Sequence, residues 1–564
     1  MTTQHLSELV DPPALEPGTL RIVPLGGIGE VGRNMAVFEI DGRILIVDCG
    51  VLFPEVIQPG VDLILPDFDY LKDKLDRIDG IVLTHGHEDH IGAVPYLLRL
   101  RKDIPLIGSK LTIALVEAKL EEHRIKPYSL VVREGDVENL GKFDLEFIAV
   151  SHSIPDALAV AIHTDAGTVI HTGDFKMDQL PLDGRVTDLR GFARVADDTG
   201  VDLLMVDSTN AEVPGFVPAE VTIALALDEH IGAARGKVIV SSFASHVHRV
   251  QMVIDAAAKH GRKVCFVGRS MVRNMGLALK LGYLSAPEGT IVDLNQANNL
   301  PDHEVLYMST GSQGEPMATV ARIAAGQHKS ISVGPDDTVI FASSLIPGNE
   351  ESVNRLINQL TARGTKVVHS GNAKVHVSGH ACAGELLVLY NLLEPEYVMP
   401  AHGEPRHLVA NGKLAVSTGV PEENVLLTRN GTVVDMADGE AKIVGQVPVG
   451  YVYVDGSSVG EITEAELTER ITLGEEGFVA IFAVVDAHKR VVLSGPHIQA
   501  RGMAEDDSVF DDILPAVREA LEESVADPQS TTYHMQQAMR RVIGRWVARK
   551  LRRKPMIIPT VVEA

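Results

Sequence analysis

Four side chains able to hold a metal ion lie within six residues of one another: His85, His87, Asp89 and His90, in the run His85-Gly86-His87-Glu88-Asp89-His90. Imidazole nitrogens and carboxylate oxygens are the donors zinc takes when cysteine is absent. One tetrahedral ion does not need that many from a single loop, so two ions sharing it is the economical reading. An apolar strand, Gly80 to Leu83, precedes the run, and an apolar helix, Ala93 to Leu100, follows it. Further donors should then stand at neighbouring strand ends. His152 follows the strand Asp144 to Ala149, Asp174 follows Thr168 to His171, and His402 follows Tyr397 to Met399. Each alone reads as an ordinary turn residue; together they form a set.

HGHEDH, SHSIPD and HTGDF resemble the successive metal motifs of the metallo-β-lactamase superfamily. The insert that follows, with the SGHACAGE and PAHGE segments around His380 and His402, is similar to the β-CASP nuclease branch. From about residue 18 to 555 the chain most closely resembles the ribonuclease J family. The resemblance implies two Zn2+ per chain, with Mn2+ or Mg2+ able to stand in. His85, His87 and His152 would bind one ion, Asp89, His90 and His402 the other, and Asp174 would bridge them. Asp48, in LIVDCG, matches the buried acid that orients a ligand histidine.

Two such ions lower the pKa of a shared water, aim the hydroxide at phosphorus and neutralise developing charge. His380, held by Asp207 in MVDSTN, would protonate the leaving 3'-oxygen and so leave a 5'-phosphate on the product. His376, Ser378 and Gly379 resemble a pocket for an RNA phosphate. Ser242 and Ser245 in one loop, and Thr310 and Ser312 in another, resemble further phosphate-facing positions, although His246 stands where many relatives have Asn. A pocket sized for one terminal phosphate favours 5'-monophosphate ends. The implied activity is 5'-to-3' exonuclease and endonuclease cleavage of single-stranded RNA, in rRNA processing and mRNA decay.

Three rival readings remain. A small-molecule hydrolase on the same zinc core has no need of the insert or of the His376 to His380 segment. A non-catalytic RNA-binding subunit would have damaged ligands, and all seven are intact. A DNA nuclease differs in contacts to the 2'-hydroxyl, which the sequence does not locate.

The elements that must position these residues divide the chain. Short apolar strands with Gly, Asp and Pro turns fill residues up to about 210, including a hairpin of Ala36 to Ile40 and Ile44 to Val47 across Asp41-Gly42. Strand and helix then alternate regularly, as in Lys237 to Ser241, Val247 to His260, Lys263 to Val267 and Met271 to Leu281, a pattern that favours a parallel sheet. The expected fold is α/β: a metallo-β-lactamase αββα sandwich with an inserted β-CASP α/β domain and a small α+β C-terminal domain. The expected divisions are 18–212 and 366–450 for the sandwich, 213–365 for the insert, 451–461 for a linker and 462–564 for the last domain. Gly27-Ile28-Gly29-Glu30-Val31-Gly32 matches the dinucleotide-binding glycine pattern, but that motif needs a helix starting inside the run. The residues after Gly32 alternate as a hairpin, so the match is rejected.

At 564 residues the chain needs several domains, and three cysteines are too few for a disulfide framework. No apolar run is long enough to span a membrane and the start lacks a leader pattern, which points to the cytoplasm. A net charge of -25 excludes a protein that coats nucleic acid by bulk electrostatics, so RNA must meet a locally positive surface. Arg540 to Lys554 carries eight Lys or Arg and no acid, which leaves -33 on the other residues. Its apolar residues Val542, Ile543, Trp546, Val547 and Leu551 fit equally an RNA-gripping helix or an amphipathic one that assembles a homodimer or homotetramer, and assembly is the expectation.

Overall fold

A computed structural model describes residues 10–55, 57–312, 318–343, 349–503 and 506–564. It divides into two compact units, residues up to 53 with 64–452, and residues 54–63 with 453–564.

The first unit is built on two sheets. In the eight-stranded sheet the strands run in the order Glu440–Gln446, Thr432–Ala437, Leu20–Gly26, Met35–Ile40, Arg43–Val47, Ile78–Leu83, Pro105–Gly108 and Tyr128–Val131. The six-stranded sheet has the order Tyr397–Ala401, Leu203–Asp207, Gly167–His171, Leu158–Thr164, Phe143–Ala149 and Val137–Leu140. Alternate residues of each, such as Phe38, Leu45 and Val82 on one side and Phe147, Val160 and Met399 on the other, share a buried core between the sheets. The opposite faces of Ile170, Leu204 and Val398 pack with Phe192, Leu389 and Ala415 from the helices Leu189–Thr199, Ala383–Leu393 and Pro405–Ser417. Helix Lys110–Glu122 packs near strand Pro105–Gly108 on the other side, completing the αββα sandwich. The hairpin forms where the sequence places it, because Asp41 and Gly42 adopt the positive φ (48° and 76°) that a tight right-twisted turn demands.

Between Leu203–Asp207 and Tyr397–Ala401, which pair with each other in parallel, the chain leaves to build a five-stranded parallel sheet. Its order is Lys263–Val267, Val305–Ser309, Val238–Ser241, Thr338–Phe341 and Lys366–Val368. Runs such as VIVS, VLYMS and TVIF are buried throughout, as strands covered by helices on both faces must be. Lys366–Val368 pairs with Thr338–Phe341, so this sheet continues past residue 365. A buried charge strut ties it to the sandwich. Lys176 reaches Glu220 at 3.2 Å, Glu220 takes Arg249 at 2.6 Å, and Arg249 donates to the carbonyls of Ala342 and Val375 at 2.6 and 2.7 Å.

In the second unit the strand Phe478–Asp486 lies between Val491–Arg501, antiparallel, and Met556–Glu563, parallel. Helices Leu514–Ala526 and Thr532–Lys550 bury Val517, Leu521, Met535, Met539, Ile543 and Val547 against it. Residues 54–63 join this unit, Asp62 N–H donating to the Val454 carbonyl at 2.8 Å. No described helix is long and apolar enough to cross a membrane.

Candidate metal centre

Five strands of the sandwich end at one place. The loop after Ile78–Leu83 brings His85, His87, Asp89 and His90, the loop after Phe143–Ala149 brings His152, those after Gly167–His171 and Tyr397–Ala401 bring Asp174 and His402, and Asp207 closes its own strand Leu203–Asp207. Two groups of donors form there, His85, His87, His152 and Asp174, and Asp89, His90, Asp174 and His402. His85 Nε2 and His152 Nε2 stand 3.1 and 3.2 Å from His87 Nδ1. Asp174 Oδ2 is 3.6 Å from His85 Nε2 and 3.8 Å from His152 Nε2, while it lies 3.2 Å from His90 Nε2 and 3.4 Å from His402 Nε2. All seven positions singled out in the sequence are therefore brought together, with Asp174 common to both groups.

Each inward nitrogen is aimed by what the other nitrogen of its ring does. His90 Nδ1 donates to Asp48 Oδ2 at 2.7 Å, and Asp48 is itself fixed by the Thr84 amide at 2.8 Å. His402 Nδ1 donates to Asn34 Oδ1, and His152 Nδ1 to the Gly379 carbonyl, both at 2.7 Å. A proton on Nδ1 leaves Nε2 as a bare lone pair. Asp48 and His402 hold positive φ (61° and 49°), backbone strain kept where it points a side chain. Gly379 must be glycine, since a Cβ there would lie 2.6 Å from His152 Cε1.

Burial pushes His87 down to about 4, and burial with the neighbouring imidazoles pushes His85 and His152 far below the usual histidine range. For His90, burial is outweighed by the carboxylates of Asp174, Asp48 and Asp89, which raise it well above that range. His380 is similar: burial opposes, but Asp207 and Asp174 raise it to about 9. Its Nδ1 donates to Asp207 Oδ2 at 2.8 Å, which leaves Nε2 free to carry a proton. Asp207 is thereby engaged, although with Asp174, His380 and His402 it makes a third possible donor group.

From His380 a second, different edge runs along the parallel sheet. Ser242 lies just past Val238–Ser241, and its N–H donates to the Ser309 carbonyl at the end of the next strand, 3.0 Å away. The hydroxyls of Ser241, Ser242, Ser309 and Ser343, both ring nitrogens of His376 and Nε2 of His246 are buried with no hydrogen-bond partner. Burial and Arg249 push His376 down to about 3. Ser378 Oγ accepts from Asn210 Nδ2 at 2.7 Å and from the His380 amide at 3.1 Å. Ser245 heads the loop before helix Val247–Lys259, its carbonyl accepting from Val247 N–H at 2.9 Å, and Thr310 and Ser312 follow strand Val305–Ser309.

Residues 28–201 match the family model described as the metallo-beta-lactamase superfamily, and 235–360 that of the ribonuclease J beta-CASP domain. Residues 365–426 match a Zn-dependent metallo-hydrolase RNA specificity domain, and 465–564 the ribonuclease J C-terminal domain. Ribonuclease J of Mycolicibacterium smegmatis is 53% identical over 557 residues, covering 99% of this chain and 100% of its own. The chain belongs to the ribonuclease J family. Ribonuclease J of Thermus thermophilus is 42% identical over 553 residues, with 96% and 95% covered. A crystal structure of a protein of unknown function from Enterococcus faecalis superposes on 74% of this chain and all of its own with a TM-score of 0.52, and at 14% identity it speaks for the fold alone.

As a ribonuclease J family member the chain is a metal-dependent ribonuclease, and its donors fit a metal. Tetrahedral ligands about 2.1 Å from zinc lie about 3.4 Å from one another. Neighbouring donors stand 3.1 to 3.9 Å apart, close to that. Asp174 Oδ1 and His402 Nε2 are buried without a hydrogen-bonding partner, which costs free energy unless a cation takes them up.

Sequence reasoning missed Asn34 and Gly379 as partners of ligand histidines, and Ser241 and Ser343 on the second edge. A serine closing an apolar strand carries no distinguishing signal. His246 stands buried at the same edge as His376, their rings 6.5 Å apart.

Proposed function

We propose that this ribonuclease hydrolyses single-stranded RNA with two metal ions, zinc in the first instance, acting as a 5'-to-3' exonuclease and endonuclease that prefers 5'-monophosphate ends. The observation that carries this is the conjunction of the two edges: a double donor set with a shared Asp174, next to a row of buried, unpartnered hydroxyls and imidazoles. The metals would supply a water ionised near neutral pH and neutralise charge on the phosphoryl oxygens.

The protein's own residues do the rest. His85, His87 and His152, and Asp89, His90 and His402, would hold the ions, with Asp174 between. Asp48, Asn34 and the Gly379 carbonyl keep three of those imidazoles in one tautomer. Asp207 accepts from His380 Nδ1 and so favours the charged ring, whose Nε2 proton passes to the departing 3'-oxygen. With cations beside it, Asp174 contributes less to the rise in His380, and Asp207 remains as its sponsor. The hydroxyls of Ser242 and Ser309 and the ring of His376 supply donors for a terminal phosphate. Ser378 has its lone pairs occupied but keeps an O–H to give, and Ser245, Thr310 and Ser312 flank the same strand ends.

Roles in rRNA processing and mRNA decay, and a cytoplasmic location, follow from such an activity. Assembly into a homodimer or homotetramer through the C-terminal unit would use the open face of its sheet, where Phe482, Ile558 and Val562 are exposed. The test is one RNA with a 5'-monophosphate or a 5'-triphosphate, incubated with the protein and with its His87→Ala variant. Faster loss of the monophosphate form, abolished by the variant, is expected. Equal cleavage by the variant would overturn the metal assignment.

A further inference from the structure

Helix Thr532–Lys550 turns Met535, Met539, Ile543 and Val547 into the core of its own unit, and Val542, Trp546 and Leu551 pack part-buried against the same core. Most of its apolar surface is thus used within one chain, and the outer parts of Val542 and Trp546 are left at a groove. What else it leaves to solvent is charge. All eight Lys and Arg between Arg540 and Lys554 are exposed, with no acid among those residues.

That basic surface is not flat. Ile513, Val542, Arg545, Trp546, Arg549 and Lys550 line a groove of about 380 Å³. Trp546 is braced by Phe510, ring centres 5.5 Å apart and tilted by 44°, and the Lys550 ammonium lies 5.2 Å from the indole centre. Lys550 also reaches Asp512 at 2.5 Å, whereas Arg545 spends only Nε, on the Arg541 carbonyl at 3.2 Å. Arg545 and Arg549 are one helical turn apart, so their guanidinium groups flank the indole on the same face.

A ring braced by a second ring, set in a partly apolar groove and flanked by exposed cations, is the chemistry that holds a single strand without reading its sequence: a base stacks, and the phosphates on either side meet arginine. We infer that this groove is an accessory binding site for single-stranded RNA, in which a base stacks on Trp546 and Arg545 and Arg549 hold the adjoining phosphates. The inference rests on RNA being this enzyme's substrate. Charge complementarity favours a polyanion over a second copy of the same face, since eight like charges on each would repel. On a chain whose other residues sum to -33, the groove is also a place where RNA is attracted rather than repelled.

The chain has one tryptophan, so the site reports on itself. The full-length His380→Ala variant, which spares the RNA, is titrated with an oligouridylate of about twenty nucleotides, longer than a typical single site. Saturable quenching of tryptophan emission is expected. Adding Arg545→Gln and Arg549→Gln, both at exposed positions, should weaken binding roughly tenfold and lower the salt dependence by about one and a half in the log–log slope. In the otherwise native chain the same pair should leave cleavage of a 5'-monophosphorylated RNA of about four nucleotides unchanged, because so short a strand fills only one site.

Binding of labelled RNA with unaltered emission and unaltered affinity in the double variant would sink the groove while leaving the ribonuclease reading intact. A double variant that sediments differently but binds RNA equally would also overturn it, making this face a contact between copies. Failure of the native chain to bind or cut any RNA would remove both readings together.

Discussion

The two edges that meet at His380 satisfy their polar groups in opposite ways. Around the metal donors the outward nitrogens of His90, His152 and His402 are each committed to one acceptor at 2.7 Å, so the inward lone pairs are fixed in advance. Along the parallel sheet, the hydroxyls of Ser241, Ser242, Ser309 and Ser343 and the ring of His376 are buried and committed to nothing. Leaving a buried polar group unpaired costs about 1 to 3 kcal/mol. On the proposed reading, the first edge serves a resident that never leaves, and the second a visitor that arrives with its own acceptors and departs. A cation kept for the life of the protein rewards rigid aim; a phosphate exchanged at every turnover rewards donors that are idle between visits.

The contrast is broken most severely at the donors. His87→Ala should lower the metal content measured by mass spectrometry and cut RNA cleavage by about a thousandfold, the equivalent of several kcal/mol of charge stabilisation. His380→Ala should retain the metal and slow cleavage by roughly a hundredfold to ten-thousandfold. An intact rate in a metal-replete His380→Ala protein would remove its role as acid. One step further out, Asp48→Asn keeps the shape but weakens the hold on His90, and metal affinity in chelator competition should fall by about tenfold to a hundredfold.

The second edge should respond on another scale. His376→Ala ought to leave metal content untouched while lowering the preference for a 5'-monophosphate over a 5'-hydroxyl by about tenfold, as for one hydrogen bond to a charged group. Loss of metal in that variant would mean the two edges are not distinct. The smallest effect on chemistry belongs to the strut. Burial alone would raise Glu220, but Arg249 and Lys176 hold it at about 2, against 4.5 when free. A depressed carboxylate adds stability that is fully present above about 4.5 and is lost as pH falls toward about 2. In Glu220→Gln that acid-dependent part of the unfolding transition, followed by circular dichroism, should disappear.

What the sequence disclosed and what it withheld follow the same division. His85 to His90 announced themselves because several donors of one chemistry crowd a short loop, and His152, Asp174 and His402 because each closes an apolar strand. Asn34 could not be seen: its partner His402 lies 368 residues away, and nothing local separates it from any turn asparagine. Glu220, just before helix Val221–Gly232, and Arg249, within Val247–Lys259, likewise carry no local signal until packing buries them side by side. The strands of the sandwich were legible from alternation and turns, and the parallel sheet from unbroken apolar runs. Val542, Trp546 and Leu551 left the choice open, since periodicity shows that a helix has an apolar side without saying whose core that side completes.

His402 closes a cluster whose other members are synthesised before the parallel sheet begins, and its own strand comes only after that sheet ends. A ribosome making this protein therefore releases the first donors long before the last. Until Tyr397–Ala401 has docked beside Leu203–Asp207, the second donor group is one short. The growing chain therefore lacks its full donor set until His402 has been made and its strand has docked.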